Sequence, residues 1–372
     1  MATIEKYEIS SGITRYRVRY RTPDKRSTDK SGFRTKRDAQ DFANDIEVKK
    51  LTGDYIAPRL GKVTVHELSA DWLARKKEAT AESYYRTIET SYRVHVQPRW
   101  GSVSVADVDV LAAEAWIAAM TRKGSGATTV IRAQGVLAGI LNDAVKGKRL
   151  SANPARGLEN LPSKSGKRRV YLTADDVTKL ADNAGEHRAL VLVLAYCGLR
   201  WGEAIGLRVR DVQFLRRRIS VSSNAVQIGS RHVVGPTKGR EDRSVPVPEF
   251  VVNELSAQCR GKAAGDLVFS TKHGMYLQRP KGSNGWLTRA VKTAGVQTIT
   301  PHDLRHSCAS LAVSAGVNVL ALARMLGHKD PSVTLRVYAD LFDTDLDTVA
   351  VNLHAKYSPE KCGKNVGFEA DS

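Results

Sequence analysis

The chain has 372 residues, 42% of them hydrophobic and 26% charged; this is the make-up of a folded protein of two or three domains and excludes a disordered one. Fifty-eight Lys and Arg against 39 Asp and Glu leave a net charge of +19, an excess suited to a polyanion such as DNA, RNA or an acidic membrane surface. No apolar run reaches the roughly 18 residues of a membrane span, and the first residues lack a signal core, so a cytoplasmic protein without membrane contact is expected.

Residues 1–57 read as a small separate domain. From Thr14 the polarity alternates, with Arg15, Arg17, Arg19 and Arg21 at odd positions and Tyr16, Val18 and Tyr20 between them. Period two places the four guanidinium groups on one face of a strand. Residues 5–9 and 27–33 supply flanking strands, separated by turn residues around Gly12 and Pro23. A helix is expected from Thr35, where Ala39, Phe42, Ala43 and Ile46 recur at helical spacing. The arginine face is either a solvated edge or a DNA contact, and four in a row favour DNA.

Residues 58–150 turn all-helical after a short Pro-Arg-Leu-Gly-Lys linker at 58–62. Val65, Leu68 and Trp72 mark one helix, and Tyr85, Ile88 and Tyr92 a second. Val108, Leu111, Ala115 and Met120 mark a third, and Val130, Ala133, Leu137, Leu141 and Ala144 a fourth. A four-helix domain of this kind says nothing by itself about chemistry. Residues 151–170 form a basic linker, rich in Pro, Ser and Lys and containing Lys167, Arg168 and Arg169; it is placed either along a phosphate backbone or in solvent. A helix then starts behind Thr173 as its cap. Short strands are expected between Val212 and Val247, inside an otherwise helical last domain at 171–355, with a polar tail at 356–372.

Five features of that last domain carry the chemistry, each weak alone. Arg200 and Glu203 follow the apolar helix ending at Tyr196, a spacing that also suits a structural ion pair. Lys238 lies in Thr-Lys-Gly-Arg, followed by Arg243. Pro301 starts a helix that puts His302 and Arg305 on one face. His302 and His306 are four apart, a metal-ligand spacing, yet no nearby Cys or carboxylate completes a site. Gly327 ends a helix just before His328, and Tyr338 stands ten residues further on. The four cysteines, Cys197, Cys259, Cys308 and Cys362, form no Cys-x-x-Cys, which argues against a disulfide framework or a zinc–thiolate centre.

Taken together, the ordered set Arg200, Lys238, His302, Arg305, His328 and Tyr338 resembles the catalytic signature of the tyrosine recombinases, the lambda-integrase-like family. The resemblance is strongest over residues 171–345. It implies a mainly α protein: an N-terminal three-stranded sheet plus helix as an arm-type DNA-binding domain, a helical core-binding domain, and an α+β catalytic domain. It further implies that Arg200 and Arg305 clamp a scissile phosphate and that His302 and His328 bond its oxygens, with His302 taking the phenolic proton. Lys238 would protonate the leaving 5′ oxygen, Tyr338 would attack, and Glu203 would support. Lys262 and Lys272 also lie in the interval, but the Thr-Lys-Gly context favours Lys238.

The physical chemistry agrees. Attack on a phosphodiester gathers negative charge that two planar cations can neutralise. Covalent capture by tyrosine conserves bond energy, so neither ATP nor a metal or other cofactor is expected. The implied partners are double-stranded DNA at core and arm attachment sites, further copies of the chain in a tetramer, a DNA-bending host factor and an excisionase. The amphipathic segment with Leu341, Leu346, Val349 and Leu353 docks either on its own domain or on a neighbouring protomer. The alternatives are a transposon or genomic-island integrase, a type IB topoisomerase-like relaxing enzyme, and a DNA-binding protein with a relic site.

Overall fold

The structure, a computed structural model, describes residues 2–23, 25–52, 55–57, 59–164, 169–236, 242–342, 351, 353, 354 and 356–358. It divides into two units, Met1–Gly166 and Lys167–Ser372.

In the first unit, β1 (Thr3–Glu8), β2 (Thr14–Arg21) and β3 (Ser27–Phe33) form an antiparallel sheet in the order β1-β2-β3. The expected alternation holds on β2. Val18 and Tyr20 are buried with Ala39, Ala43 and Ile46 of α1 (Lys36–Thr52), while Arg19 and Arg21 face solvent. The arginine face is less bare than its sequence suggests. Arg17 pairs with Asp29 and Arg19 with Glu5, both at 3.4 Å, because the antiparallel register sets each carboxylate diagonal to its arginine.

The same unit holds a second core, built from helices α2 (Val65–Ala79), α3 (Glu82–Ser91), α4 (Gln97–Trp100), α5 (Val110–Arg122) and α6 (Ala127–Lys146). A π-helical turn, Tyr92–Val96, joins α3 to α4. Thr64 and Glu67 close a reciprocal cap on α2. Helices α2 and α6 approach so closely that a Cβ on Gly139 would stand 2.6 Å from the Trp72 ring, so only glycine fits there. Two residues, Leu111 and Ala115, were misplaced by pattern alone, and both are exposed. Leu111 is exposed because α5 starts only at Val110, capped by Asp109, and turns Ala113, Trp116, Ile117 and Met120 inward. The first half of the expected linker packs on this core as well. Ala155 and Leu158 are buried, and the Asn153 side chain donates to Ala138 O (2.8 Å) and Asn142 Oδ1 (2.7 Å).

The second unit is organised around α8 (Arg188–Cys197), which is apolar on every side and accordingly buried. Around it pack α7 (Ala174–Asp182), capped by Thr173 as expected, α10 (Glu249–Cys259) and α12 (Pro301–Ser314). Strands β4 (Val212–Gln213), β5 (Arg218–Val221) and β8 (Arg243–Pro246) make one small sheet; β6 (Ser223–Ile228) and β7 (Arg231–Pro236) make a hairpin. The short helix α9 (Trp201–Gly206) lies on β6, where a Cβ on Gly202 would meet Asn224 Oδ1 at 2.1 Å. Helices α11 (Trp286–Ala294), α13 (Val319–Leu326) and α14 (Pro331–Phe342) complete the unit. Among the described residues no helix is long and apolar enough to cross a membrane.

Candidate active site

The site forms where α13 ends. Gly327 caps that helix with φ +67°, a left-handed conformation that glycine adopts at no steric cost. The last carbonyls of a helix lack internal partners and carry its negative end. Three successive ones here each accept from a different guanidinium. Arg243 Nε donates to Met325 O (2.9 Å), Arg305 Nη2 to Leu326 O (2.5 Å) and Arg200 Nη2 to Gly327 O (3.1 Å). Arg305 also donates to Gly198 O, which the left-handed turn after α8 exposes. Like-charged groups are thereby held together by a helix terminus, with Glu203 as the counter-ion.

Glu203 is 2% exposed, and both of its oxygens are engaged. It accepts from the Arg200 backbone N–H (2.8 Å), from Arg200 Nη1 (2.8 Å), and from Arg243 Nη1 (3.1 Å) and Nη2 (2.6 Å). Burial alone would raise this carboxyl, but the bonds and charge of Arg243, reinforced by Arg200, override it and bring it down to about 2. The structural ion pair that the Arg200–Glu203 spacing suits is present, and it lies inside the candidate site.

Arg305 is almost fully enclosed. Burial and the nearby Arg200 lower it to about 10, which leaves it charged at neutral pH. Its Nη2 also donates to His328 Nε2 (3.2 Å). A guanidinium can only donate, so Nε2 is the bare nitrogen and Nδ1 carries the hydrogen, donating to the buried Thr334 Oγ1 (2.7 Å). Burial and the Arg305, Arg200 and Arg243 charges push His328 down to about 4, so the ring is neutral.

Tyr338 lies beside this cluster, 1% exposed among Ala309, Val313, Leu322 and Leu326. Its backbone breaks the helical run of α14, with φ −123° and ψ 16°. Burial raises the phenol to about 12, against a smaller opposing pull from the Arg305 charge. The hydroxyl shares a 2.9 Å hydrogen bond with His306 Nδ1. The imidazole at the phenol is thus His306, not the His302 that the family resemblance assigns to the proton. His302 is one helical turn back and exposed, its ring centroid 4.7 Å from that of His306. Burial, then the charge of His302, brings His306 to about 4.

Lys238 lies outside the described residues, as do Lys167 and Arg168. Of the rival lysines, Lys262 is committed to the Leu267 and Val268 carbonyls. Arg169 is exposed, and its charge reaches Tyr338 and His306. The four-residue spacing of His302 and His306 gathers no further metal ligand: among the described residues no group of three or more His, Cys, Asp or Glu converges. Cys197, Cys259 and Cys308 are free and buried. Sequence reasoning missed three contributors: Arg243, His306 and Thr334. Arg243 and His306 were in view as neighbours of motif residues, but nothing local marked their partners.

Residues 170–345 match the model of the phage integrase family. The integrase of Mycobacterium phage FRAT1 is 29% identical over 285 residues, covering 74% of this chain and 83% of that one. A tyrosine recombinase of Thermosipho africanus is 25% identical, covering 76% and 96%. Among solved structures, the Tn1549 transposon integrase with transposon right-end DNA aligns with TM-score 0.67 at 23% identity, over 77% of this chain and all of that one. A lambda integrase dimer on a core site aligns at TM-score 0.55 and 16% identity, over 98% and 97%. These likenesses show the fold, and the site described above stands within the matched stretch. Residues 170–345, which hold the site, match the phage integrase family, and the chain is similar over 74–76% of its length to phage integrases and tyrosine recombinases.

Proposed function

We propose that the chain is a site-specific DNA recombinase that integrates phage DNA, and with accessory factors excises it, by cutting and rejoining strands through Tyr338. One observation carries this reading: Arg200, Arg305 and His328 converge on the end of α13, and Tyr338 is buried within reach of the Arg305 charge. In the reaction, Tyr338 Oη attacks the phosphorus, a 3′-phosphotyrosyl bond forms and the bond to the 5′ oxygen breaks. Arg200 and Arg305 hold the charge that develops on the non-bridging oxygens. The phenolic proton passes to an imidazole, and Lys238 gives a proton to the departing oxygen. The returning 5′ hydroxyl reverses each step, so the bond energy is kept.

At rest the phenol stands near 12 and His306 near 4, so proton transfer between them is strongly uphill. An arriving phosphodiester supplies the negative charge that the cluster lacks. It favours protonated imidazole and draws Arg200 and Arg305 from carbonyls to phosphate oxygens. His302, exposed on the same helix, is the acceptor once the phenol leaves His306.

Residues 1–57 serve as the arm-binding domain through Arg15, Arg17, Arg19 and Arg21. Residues 58–150 grip the core site, 151–170 is a linker with Lys167, Arg168 and Arg169 near the backbone, and 171–355 is catalytic. The solved lambda integrase tetramer on a Holliday junction supports a tetramer as the working assembly; a bending host factor and an excisionase are proposed as directional partners on the family resemblance alone. The test is denaturing-gel detection of a protein–DNA adduct on attachment-site DNA. Tyr338→Phe keeps DNA binding and forms no adduct; an adduct in that variant refutes the assignment.

A further inference from the structure

Arg243 uses its donors differently from the other two arginines of the cluster. Its Nε, Nη1 and Nη2 are all taken by Met325 O and the two Glu203 oxygens, and its side chain is 11% exposed against 26% for Arg200. A guanidinium with all three nitrogens bonded from within is turned toward the protein, although each terminal nitrogen keeps a second N–H. What it grips, however, is the carboxylate that holds Arg200 by backbone and side chain together.

The passage it occupies is shaped for it. A Cβ on Gly327 would lie 3.1 Å from Arg243 Cδ, Nε and Cζ, so the glycine that ends α13 also leaves room for this side chain. At the other end, Arg243 is the first residue of β8, where pairing with Val221 of β5 fixes its backbone. A lysine there would bring charge without the planar fork that fits both carboxylate oxygens.

We propose that Arg243 is a positioning residue for DNA cleavage: by gripping Glu203 and the end of α13 at once, it sets the single orientation in which Arg200 meets the scissile phosphate. This rests on the recombinase reading above, and it adds a residue that touches neither DNA nor the nucleophile.

The test uses full-length Arg243→Met and Arg243→Lys. The DNA is a duplex captured covalently by the wild-type chain from fragments of the genome that encodes it. Adduct formation is followed in a single turnover on the ordinary phosphodiester, and again on a methylphosphonate at the scissile position. The methylphosphonate carries no charge, so it asks less of Arg200. Arg243→Met is expected to form adduct on the order of 10–100 times more slowly on the phosphodiester, short of the loss of a direct contact. DNA affinity stays near wild type, and the deficit shrinks to within about threefold on the methylphosphonate, because the missing function is charge neutralisation through Arg200. Arg243→Lys falls between.

Equal deficits on both substrates, or none on either, overturn the proposal. If a thermal melt shows Arg243→Met unfolded, Arg243→Lys is judged by the same comparison. A wild-type chain that captures no DNA refutes the recombinase reading and takes this one with it; wild-type capture with equal deficits refutes the Arg243 role alone.

Discussion

Replacing Glu203 by Gln isolates the electrostatic centre of the catalytic unit. The carboxyl stands at about 2 in the folded chain against 4.5 when free. A group with a depressed folded pKa stabilises fully above its unfolded value and loses that contribution as pH falls through its folded value. The difference corresponds to about 3 kcal/mol at neutral pH, at 1.36 kcal/mol per pKa unit, in line with the roughly 3–5 kcal/mol cost of breaking a buried pair. At about pH 3.5 the same linkage leaves roughly 2 kcal/mol, so the stability gap between wild type and Glu203→Gln narrows by about 1 kcal/mol. Urea unfolding of the intact chain, read by pulsed hydrogen exchange of the α8 segment, scores this unit alone. Other carboxyls titrate identically in both proteins and cancel. A gap that stays constant between the two pH values would show that Glu203 supports the fold by shape and hydrogen bonding, not by its charge.

Three further outcomes are expected. Ultraviolet titration of DNA-free wild type minus Tyr338→Phe resolves one phenol near 12; its contribution to stability holds below the ordinary tyrosine value of about 10 and is lost as pH rises through 12, and a midpoint near 10 contradicts the burial. Gly202→Ala drives a methyl into Asn224 and the Ala225 carbonyl, costing about 1–3 kcal/mol as overpacking does; an unchanged melt shows that α9 can lift from β6 freely. Replacing Arg15, Arg17, Arg19 and Arg21 weakens binding to an arm sequence while sparing adduct formation at the core, and lowers the slope of log affinity against log salt. Arg15 and Arg21 account for more of that change than Arg17 and Arg19, which already face carboxylates; binding assays of the two double variants check the order.

What could be read from the residues was what local rules govern. The period-two run on β2, the Thr173 cap, the Pro301 start of α12 and the Gly327 stop of α13 each rest on a few neighbours, and each stands in the structure. The ordered set from Arg200 to Tyr338 stood out as a candidate site because its spacing is distinctive as a set. Arg243 and His306 were not, because their partners lie 40 and 32 residues away and only tertiary packing brings them together. Thr334 passed as an ordinary helical residue until His328, bare at Nε2, required an acceptor on its other side. Leu111 failed for a smaller reason: a helix boundary two residues later than the apolar pattern rotates the inward face past it.

The three carbonyls at the end of α13 also bear on when the arginine cluster can become ordered. They tie Arg200, Arg243 and Arg305 to points 127, 82 and 21 residues further along the chain. Such distant closures carry the largest loop entropy and form late. A nascent chain that has made its sheet, its helical bundle and even α8 still lacks an ordered arginine cluster until Gly327 has emerged and folded back. Order in the arginine cluster is thus a property of the completed unit and of no smaller part of it.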